Sequence, residues 1–290
     1  MSDNNDKCVF ICCGGKCGSL TLLETLKKYF NTFYSHNFFD FESNNMSKIV
    51  EKNRYLCKDI YIIDSYRTPI ERKISSFFQN LKNYIPNYMN KPINELIDIF
   101  NNIFLQNLEV NHPINDVFKF YKLNNFAEFD FDKKYNEKIY ENIHIIKLRF
   151  QDINEWETIL SAILKKTILI TPENLTKNKE YYDLYKEFLS KYKVPKSYLN
   201  NELQNDKEFK IYNTIEEQND YYKKWYEKST EIVNYEIIDI YYDNVIRECN
   251  FNWEEYYDMN KDLQFMGKDR HKLTNHYILH GKFENRVCSK

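Results

Sequence analysis

Short apolar runs alternate with stretches whose apolar residues recur every three or four positions, a pattern that predicts an α/β chain. Val9 to Cys13 is the first run, and after it Leu20, Leu23, Leu26 and Phe30 fall on one helical face with Leu22 and Tyr29 beside it. Thr32 to Phe39 reads as a second strand with His36 inside it, and a polar helical stretch from about Asn45 to Lys52 leads to the apolar run Asp59 to Asp64. That run is continuous, as suits a parallel strand covered on both faces. Spacing is helical from Phe77 to Leu108, and Asn111-His112-Pro113-Ile114-Asn115-Asp116 breaks it. Asp130 to Glu141 reads as a hairpin or loop, Ile143 to Leu148 as a buried strand, and Gln151 to about Leu164 as a helix. Tyr181, Leu184, Tyr185 and Phe188 form another apolar helix face, and a long helix is predicted from about Ile215 to Arg247. The composition shifts after Cys249. The expected organisation is an α/β domain over 1–249, a parallel sheet flanked by helices, and a small all-helical module over 250–290.

Two junctions in this pattern carry chemistry. The first is Cys13-Gly14-Gly15-Lys16-Cys17-Gly18-Ser19-Leu20-Thr21, a glycine turn between strand and helix that uses three of the chain's five glycines. Glycine lets the backbone turn sharply and approach a ligand. The free N–H groups of a helix start, with its dipole, then favour an anion. It is not a Walker A loop, which ends Gly-Lys-Ser/Thr so that a hydroxyl holds Mg²⁺. Here Lys16 precedes the last glycine and Cys17 lies between them.

The second junction is Arg67-Thr68-Pro69-Ile70-Glu71-Arg72-Lys73-Ile74-Ser75-Ser76-Phe77. Thr68 can cap, Pro69 suits the first helical position, and Glu71 can complete a capping box. Arg67 then lies between the strand's carboxyl end and the helix, the crevice where open α/β sheets bind ligands. Arg72 and Ser75, three apart, share a helix face. Arginine's planar fork suits phosphate.

In this order the two junctions resemble the loops of the PAPS-dependent P-loop sulfotransferases, above all the glycan-modifying ones; PAPS is 3′-phosphoadenosine 5′-phosphosulfate. The resemblance implies their fold and no metal. It implies that Gly15, Lys16, Cys17, Gly18, Ser19, Leu20 and Thr21 hold the 5′-phosphosulfate, and that Arg67 and Ser75 bind the 3′-phosphate. Lys16 takes the place of the family's catalytic lysine beside the bridging oxygen. Sulfotransferases also use a His or Glu base for the acceptor hydroxyl, and His112 is the candidate here, with Glu109 in reserve. Roughly from Lys7 to Ser229 the chain is similar to the capsular polysaccharide synthesis family, a sulfotransferase-like group. That family's Asn-Lys-Trp-Tyr-Ser signature reads Asn178-Lys179-Glu180-Tyr181-Tyr182 here, without the Trp and the Ser. Lys177 and Lys179 either close over the nucleotide or form a solvated helix start. The residues after Cys249 resemble a helical module often appended to glycosyltransferases. In it His276 and His280 share a helix face, read as packing because no Glu intervenes as in H-E-x-x-H.

The expected activity is transfer of a sulfuryl group from PAPS to a carbohydrate hydroxyl, in polysaccharide biosynthesis. The alternatives are a non-catalytic, sulfotransferase-like structural or glycan-binding protein and, disfavoured by the position of Lys16, a nucleotide kinase. A net charge of −2 gives no nucleic-acid footprint, and the 25 Tyr and 21 Phe read as coding bias filling the core. Seven Cys make no disulfide framework, and the spacing of Cys8, Cys12, Cys13 and Cys17 is not a zinc pattern. With no signal peptide and no apolar stretch long enough to span a bilayer, the expected place is the cytoplasm.

Overall fold

The computed structural model describes residues 6–39, 45–85, 87–105, 112–173, 176–231, 241–243, 246–247 and 250–288. Strands β1 (Lys7–Cys12), β2 (Asn31–Ser35), β3 (Asp59–Tyr66), β4 (Tyr135–Tyr140) and β5 (Ile143–Arg149) form one sheet in the order β2-β1-β3-β5-β4. β1 runs parallel to β2 and β3, and β3 runs parallel to β5. Only β4 is antiparallel, as the hairpin partner of β5, which resolves the Asp130–Glu141 stretch.

Side chains alternate across the strands, so each strand feeds two cores. Val9, Ile11, Tyr61, Ile63, Ile146 and Leu148 pack under helix α1 (Ser19–Leu26) and the later helix Trp156–Leu164. Phe10, Cys12, Ile60, Ile62, Ile143 and Ile145 pack under α2 (Met46–Arg54) and the helix Pro113–Phe120. Helices thus cover both faces of a mostly parallel sheet. α1 buries Leu22 and Leu26 fully and leaves Leu20 and Leu23 half-buried, so its core face is turned from the expected one.

Several boundaries differ from the sequence reading for local reasons. β2 stops at Ser35, and His36 lies past its end, its Nδ1 2.9 Å from the Cys13 carbonyl oxygen. β3 runs on to Tyr66 because β5 pairs with it that far, Tyr66 opposite Arg149. The break around His112 is a helix start. His112 is the N-cap and Pro113 holds the first position of α5 (Pro113–Phe120), where a missing N–H costs nothing; α3 (Pro69–Tyr84) and α4 (Ile93–Ile99) precede it. The long helix predicted after Ile215 ends at Glu227, and Ser229–Thr230 pairs instead with Val194–Pro195. Residues 106–111, which hold Glu109, and 232–240 lie outside the described residues.

The chain divides into two compact units. The first, residues 1–72, 110–180 and 205–222, holds the sheet. The second comprises 73–109, 181–204 and 223–290. Its core is aromatic: Phe77 packs on Phe100 and Phe104 at ring-centroid distances of 5.1 and 5.0 Å, and Phe188 on Phe100 at 5.7 Å. The C-terminal segment, with helices Trp253–Met259 and Arg270–His276, groups with this unit. It is tied there by a hydrogen bond from the Tyr242 hydroxyl to Asn275. No helix among the described residues is long and apolar enough to cross a membrane.

One interaction in the first unit has no apolar explanation. Lys147 on β5 faces Asp64 on β3, Nζ to Oδ2 2.7 Å, with each side chain 1% exposed. Burial opposes the ammonium charge, but Asp64, with Tyr212 and Glu208, together outweigh it and hold the Lys147 pKa above its ordinary value. Removing one partner leaves a buried charge uncompensated, at a cost of about 3–5 kcal/mol. We therefore expect Lys147→Met to lower unfolding stability by about that amount, and the double variant with Asp64→Asn to regain part of it. Urea unfolding of both checks this; strictly additive losses would show that the two do not act as a pair.

Candidate functional site

Between β1 and α1 the chain makes a sharp turn. Lys16 (φ 69°) and Gly18 (φ 86°) both take left-handed backbone. Gly18 has no substitute: a Cβ there would meet Trp156 at 2.8 Å and Phe150 at 3.0 Å. Gly15 is exposed and faces open space. Lys16 is the unexpected residue, since a side chain resists this conformation and such strain gathers at functional sites.

Two arginines hold the strained turn. Arg67, just after β3, donates from Nη1 to the Lys16 carbonyl at 3.0 Å, and Arg72 donates from Nε to the Gly15 carbonyl at 2.9 Å. Arg72 is 5% exposed, whereas the half-buried Arg67 guanidinium lies over the Phe150 ring at 4.7 Å. Arg72 thus fixes the loop from beneath. The start of α3 is secured in the same unit by Tyr221, whose hydroxyl accepts from the Ile70 N–H at 3.1 Å and donates to Glu71 at 2.5 Å.

The loop delivers donors to one spot. The first backbone bond of α1 is Leu22 N–H to the Gly18 carbonyl, 3.1 Å. The preceding N–H groups have no partner within the helix, and its dipole adds positive potential. Burial, then Arg67, then Lys179 push the Lys16 pKa down to about 8. Among the described residues no carboxylate lies in ion-pair range of Lys16, Arg67 or Lys179. Among the described residues, positive charge is crowded here without a counter-ion, at a helix start whose first N–H groups have no partner within the helix. That is the electrostatics of an anion site.

The other predicted residues are placed as follows. Cys17 is fully buried, and its thiol turns inward to Cys13. Burial raises its pKa, but the Cys13 thiol and Arg72 bring it down to about 7. Only its backbone faces the turn's outer side. Ser19 is buried, with Oγ 3.4 Å from the Tyr34 hydroxyl, and Leu20 is half-buried. The Thr21 hydroxyl is engaged with the Glu173 backbone: it accepts from the N–H at 3.2 Å and donates to the carbonyl at 3.4 Å. Thr21 thus clasps the segment that leads to Lys179. Ser75 lies on α3 within the second unit, half-buried.

His112 stands apart from the loop but inside the same field. Burial, then Lys147 and Arg72, push its pKa down to about 2, so the imidazole is neutral. Its Nδ1 lies 3.8 Å from Oε2 of Glu208, on α8 (Lys207–Ile211), which follows α6 (Trp156–Leu164) and α7 (Tyr182–Lys191). Sequence reasoning passed over Arg72 as a loop clamp, and over Lys147 and Glu208 altogether. The visible signal for Lys147 was a lysine inside an apolar strand, a position lysine rarely occupies unpaired. Glu208 gave no such signal.

Fold and site together define a doubly covered, mostly parallel α/β domain with a clamped glycine turn that leads into a helix start. Compared with known proteins, the chain matches no family model, no curated protein and no solved structure.

The strain on Lys16 has a measurable sign. Its folded pKa, about 8, lies below its usual 10.5. Between those values the unfolded chain binds more protons, so stability rises with pH there. Below pH 8 the full penalty of the crowded charge is present. Lys16→Met keeps the stem and removes the charge. We expect it to raise the melting temperature at pH 7, with the advantage shrinking by pH 10. A variant equally or less stable than the wild type at both pH values would show that Lys16 is not under electrostatic strain.

Proposed function

We propose that the chain is a sulfotransferase of the P-loop, PAPS-dependent kind, acting on a carbohydrate hydroxyl. The observation that carries the reading is the cation cluster of Lys16, Arg67 and Lys179, with no carboxylate among the described residues in ion-pair range, at a clamped glycine turn and helix start. The residue order supports PAPS over a nucleoside triphosphate, because Lys16 precedes the last glycine and no hydroxyl follows a Gly-Lys pair. Arg67 spends one N–H on the Lys16 carbonyl, and a guanidinium has five. The remainder suit the 3′-phosphate.

Sulfuryl transfer asks for in-line positioning and neutralisation of the departing oxygen, as phosphoryl transfer does. The loop N–H groups and Ser19 would hold the 5′-phosphosulfate, and Lys16 would meet the charge that develops on the bridging oxygen. His112 would face the acceptor hydroxyl.

A calorimetric titration with 3′-phosphoadenosine 5′-phosphate, the desulfated product, tests the nucleotide. We expect it to bind without Mg²⁺ and AMP to bind about 2–4 kcal/mol more weakly, having lost charge-assisted bonds to the 3′-phosphate. Equal affinity, or a requirement for Mg²⁺, would overturn the reading and favour a kinase.

Turnover separates the enzyme from a non-catalytic, glycan-binding homologue, a reading kept alive by the missing Trp and Ser after Lys179. In Lys16→Met, transfer from PAPS to a glycan should fall by ~10²–10³ at saturation, since the charge matters most in the transition state. Affinity measured on the same variant should fall less. A variant with the wild-type rate would leave Lys16 a binding residue only.

A further inference from the structure

Apart from the loop, the first unit holds a second set of polar groups that folding does not account for. Glu208 Oε2 is buried and has no hydrogen-bond partner. Its other oxygen accepts a long bond from Asn115 Nδ2 at 3.4 Å. His112 Nδ1 lies 3.8 Å from Oε2. A carboxylate oxygen desolvated without a donor costs stability, so a structure that keeps one has a use for it. His112 is anchored by the helix it caps, its carbonyl accepting from Asn115 N–H at 2.9 Å. Asn115 therefore bonds to both members of the pair.

We propose that Glu208 is the proton's final destination in this site, reached through His112, whose Nδ1 faces the carboxylate and whose Nε2 faces the acceptor. The proposal rests on the sulfotransferase reading. As the acceptor oxygen bonds to sulfur, its O–H bond breaks and the proton goes to Nε2. The proton on Nδ1 passes to Oε2 of Glu208. The electron pair of the broken S–O bond stays on the 5′-phosphate oxygen beside Lys16. Glu208 is a positioning residue in this scheme, acting only through the imidazole.

The surroundings set the direction of the proton. Burial raises the Glu208 pKa, as do Asp64 and Asp206, while Lys147 and the bond from Asn115 oppose the rise. Burial, Lys147 and Arg72 lower that of His112. Tyr212 lies in the same field and stays a neutral phenol. Free in water, histidine holds a proton more tightly than glutamate, with pKa values of about 6.5 and 4.3. Here the order is inverted, so an imidazolium hands its proton on. A separation of 3.8 Å is loose, as such bonds often are before substrate binds.

Nitrogen NMR of the ligand-free full chain, labelled at histidine, reads the pair without any activity. When Glu208 is protonated it donates to Nδ1, leaving the ring hydrogen on Nε2; when ionised it accepts from Nδ1. His112 should therefore stay neutral from pH 5 to 8 and move its hydrogen from Nε2 to Nδ1 as pH rises through the Glu208 titration. Glu208→Gln should abolish that move. In turnover, Glu208→Gln should lose ~10²-fold or more in kcat and the acid limb of the pH profile, while the product nucleotide binds as in wild type. Glu208→Asp should recover part of the rate, and it serves for both measurements if the amide does not fold. A His112 that charges near its ordinary pKa, or whose tautomer ignores the side chain at 208, overturns the proposal. So does a Glu208→Gln enzyme with wild-type kcat and pH profile. If the wild type binds no 3′-phosphoadenosine 5′-phosphate, the sulfotransferase reading fails, and the nitrogen spectra still decide the pair.

Discussion

Lys147 sits where water does not reach, and its charge persists because Asp64 lies across from it on the neighbouring strand. The pair occupies the carboxyl ends of β3 and β5, the side of a parallel sheet where loops gather. Its reach is wide. Lys147 lowers the proton affinity of His112, Glu208, Tyr212, Cys13 and Cys17, and Asp64 opposes it at all of these except His112. Of these groups His112 feels the cation without the anion, which adds to the burial that holds the imidazole neutral, while burial raises the proton affinity of the carboxyl opposite it. The ion pair thus has two roles: it fixes the register of β3 against β5, and it sets the polarity of everything around it.

The glycine turn depends on a second constraint. A non-glycine residue in left-handed backbone relaxes unless something holds it, and Arg67 and Arg72 hold Lys16 and Gly15 by their carbonyls. Satisfying those carbonyls frees the loop's N–H groups for something else. Arg72 is also one of the charges that keep His112 neutral. One buried guanidinium therefore couples the geometry of the glycine turn to the protonation of the histidine.

Much of this frame was legible in the sequence because it rests on local rules. The apolar run into Gly14-Gly15 and the helix after Gly18 gave β1, the loop and α1; Thr68-Pro69 gave the start of α3. Pro113 carried a helix-start signal that a run of Asn and Asp obscured. Tertiary burial was not legible. Arg72 and Ser75 share one helix face by spacing, and nothing local says that Arg72 turns under the loop while Ser75 belongs to the second unit. Nor does anything local show that the Thr21 hydroxyl, expected at the phosphosulfate, also bonds the Glu173 backbone, distant in sequence. Glu208 follows Asp206, whose carboxylate caps the helix through Phe209 N–H, so its stretch reads as an ordinary capped surface turn.

The contrast between paired and unpaired charge separates scaffold from site. Arg149 is buried with Asp152 at 2.7 Å and Glu217 at 2.9 Å, and its guanidinium lies over Phe129 and Phe131. Lys147 has Asp64. Each of these interior charges is matched, as stability requires. Lys16 and the Oε2 atom of Glu208 are not matched, and both lie within the same unit at the same end of the sheet. A chain shaped for stability alone would have neutralised the first and hydrogen-bonded the second, since either change is a single substitution away. Both departures have complementary signs: an excess of positive charge at the loop and an unspent acceptor behind His112. A reaction that moves an anionic group onto a hydroxyl needs that combination, a cation for the leaving oxygen and a home for the proton. Phosphoryl transfer without a metal would make the same two demands, so the choice between the two chemistries falls to Arg67, whose remaining N–H groups would have a 3′-phosphate to meet in one and not in the other.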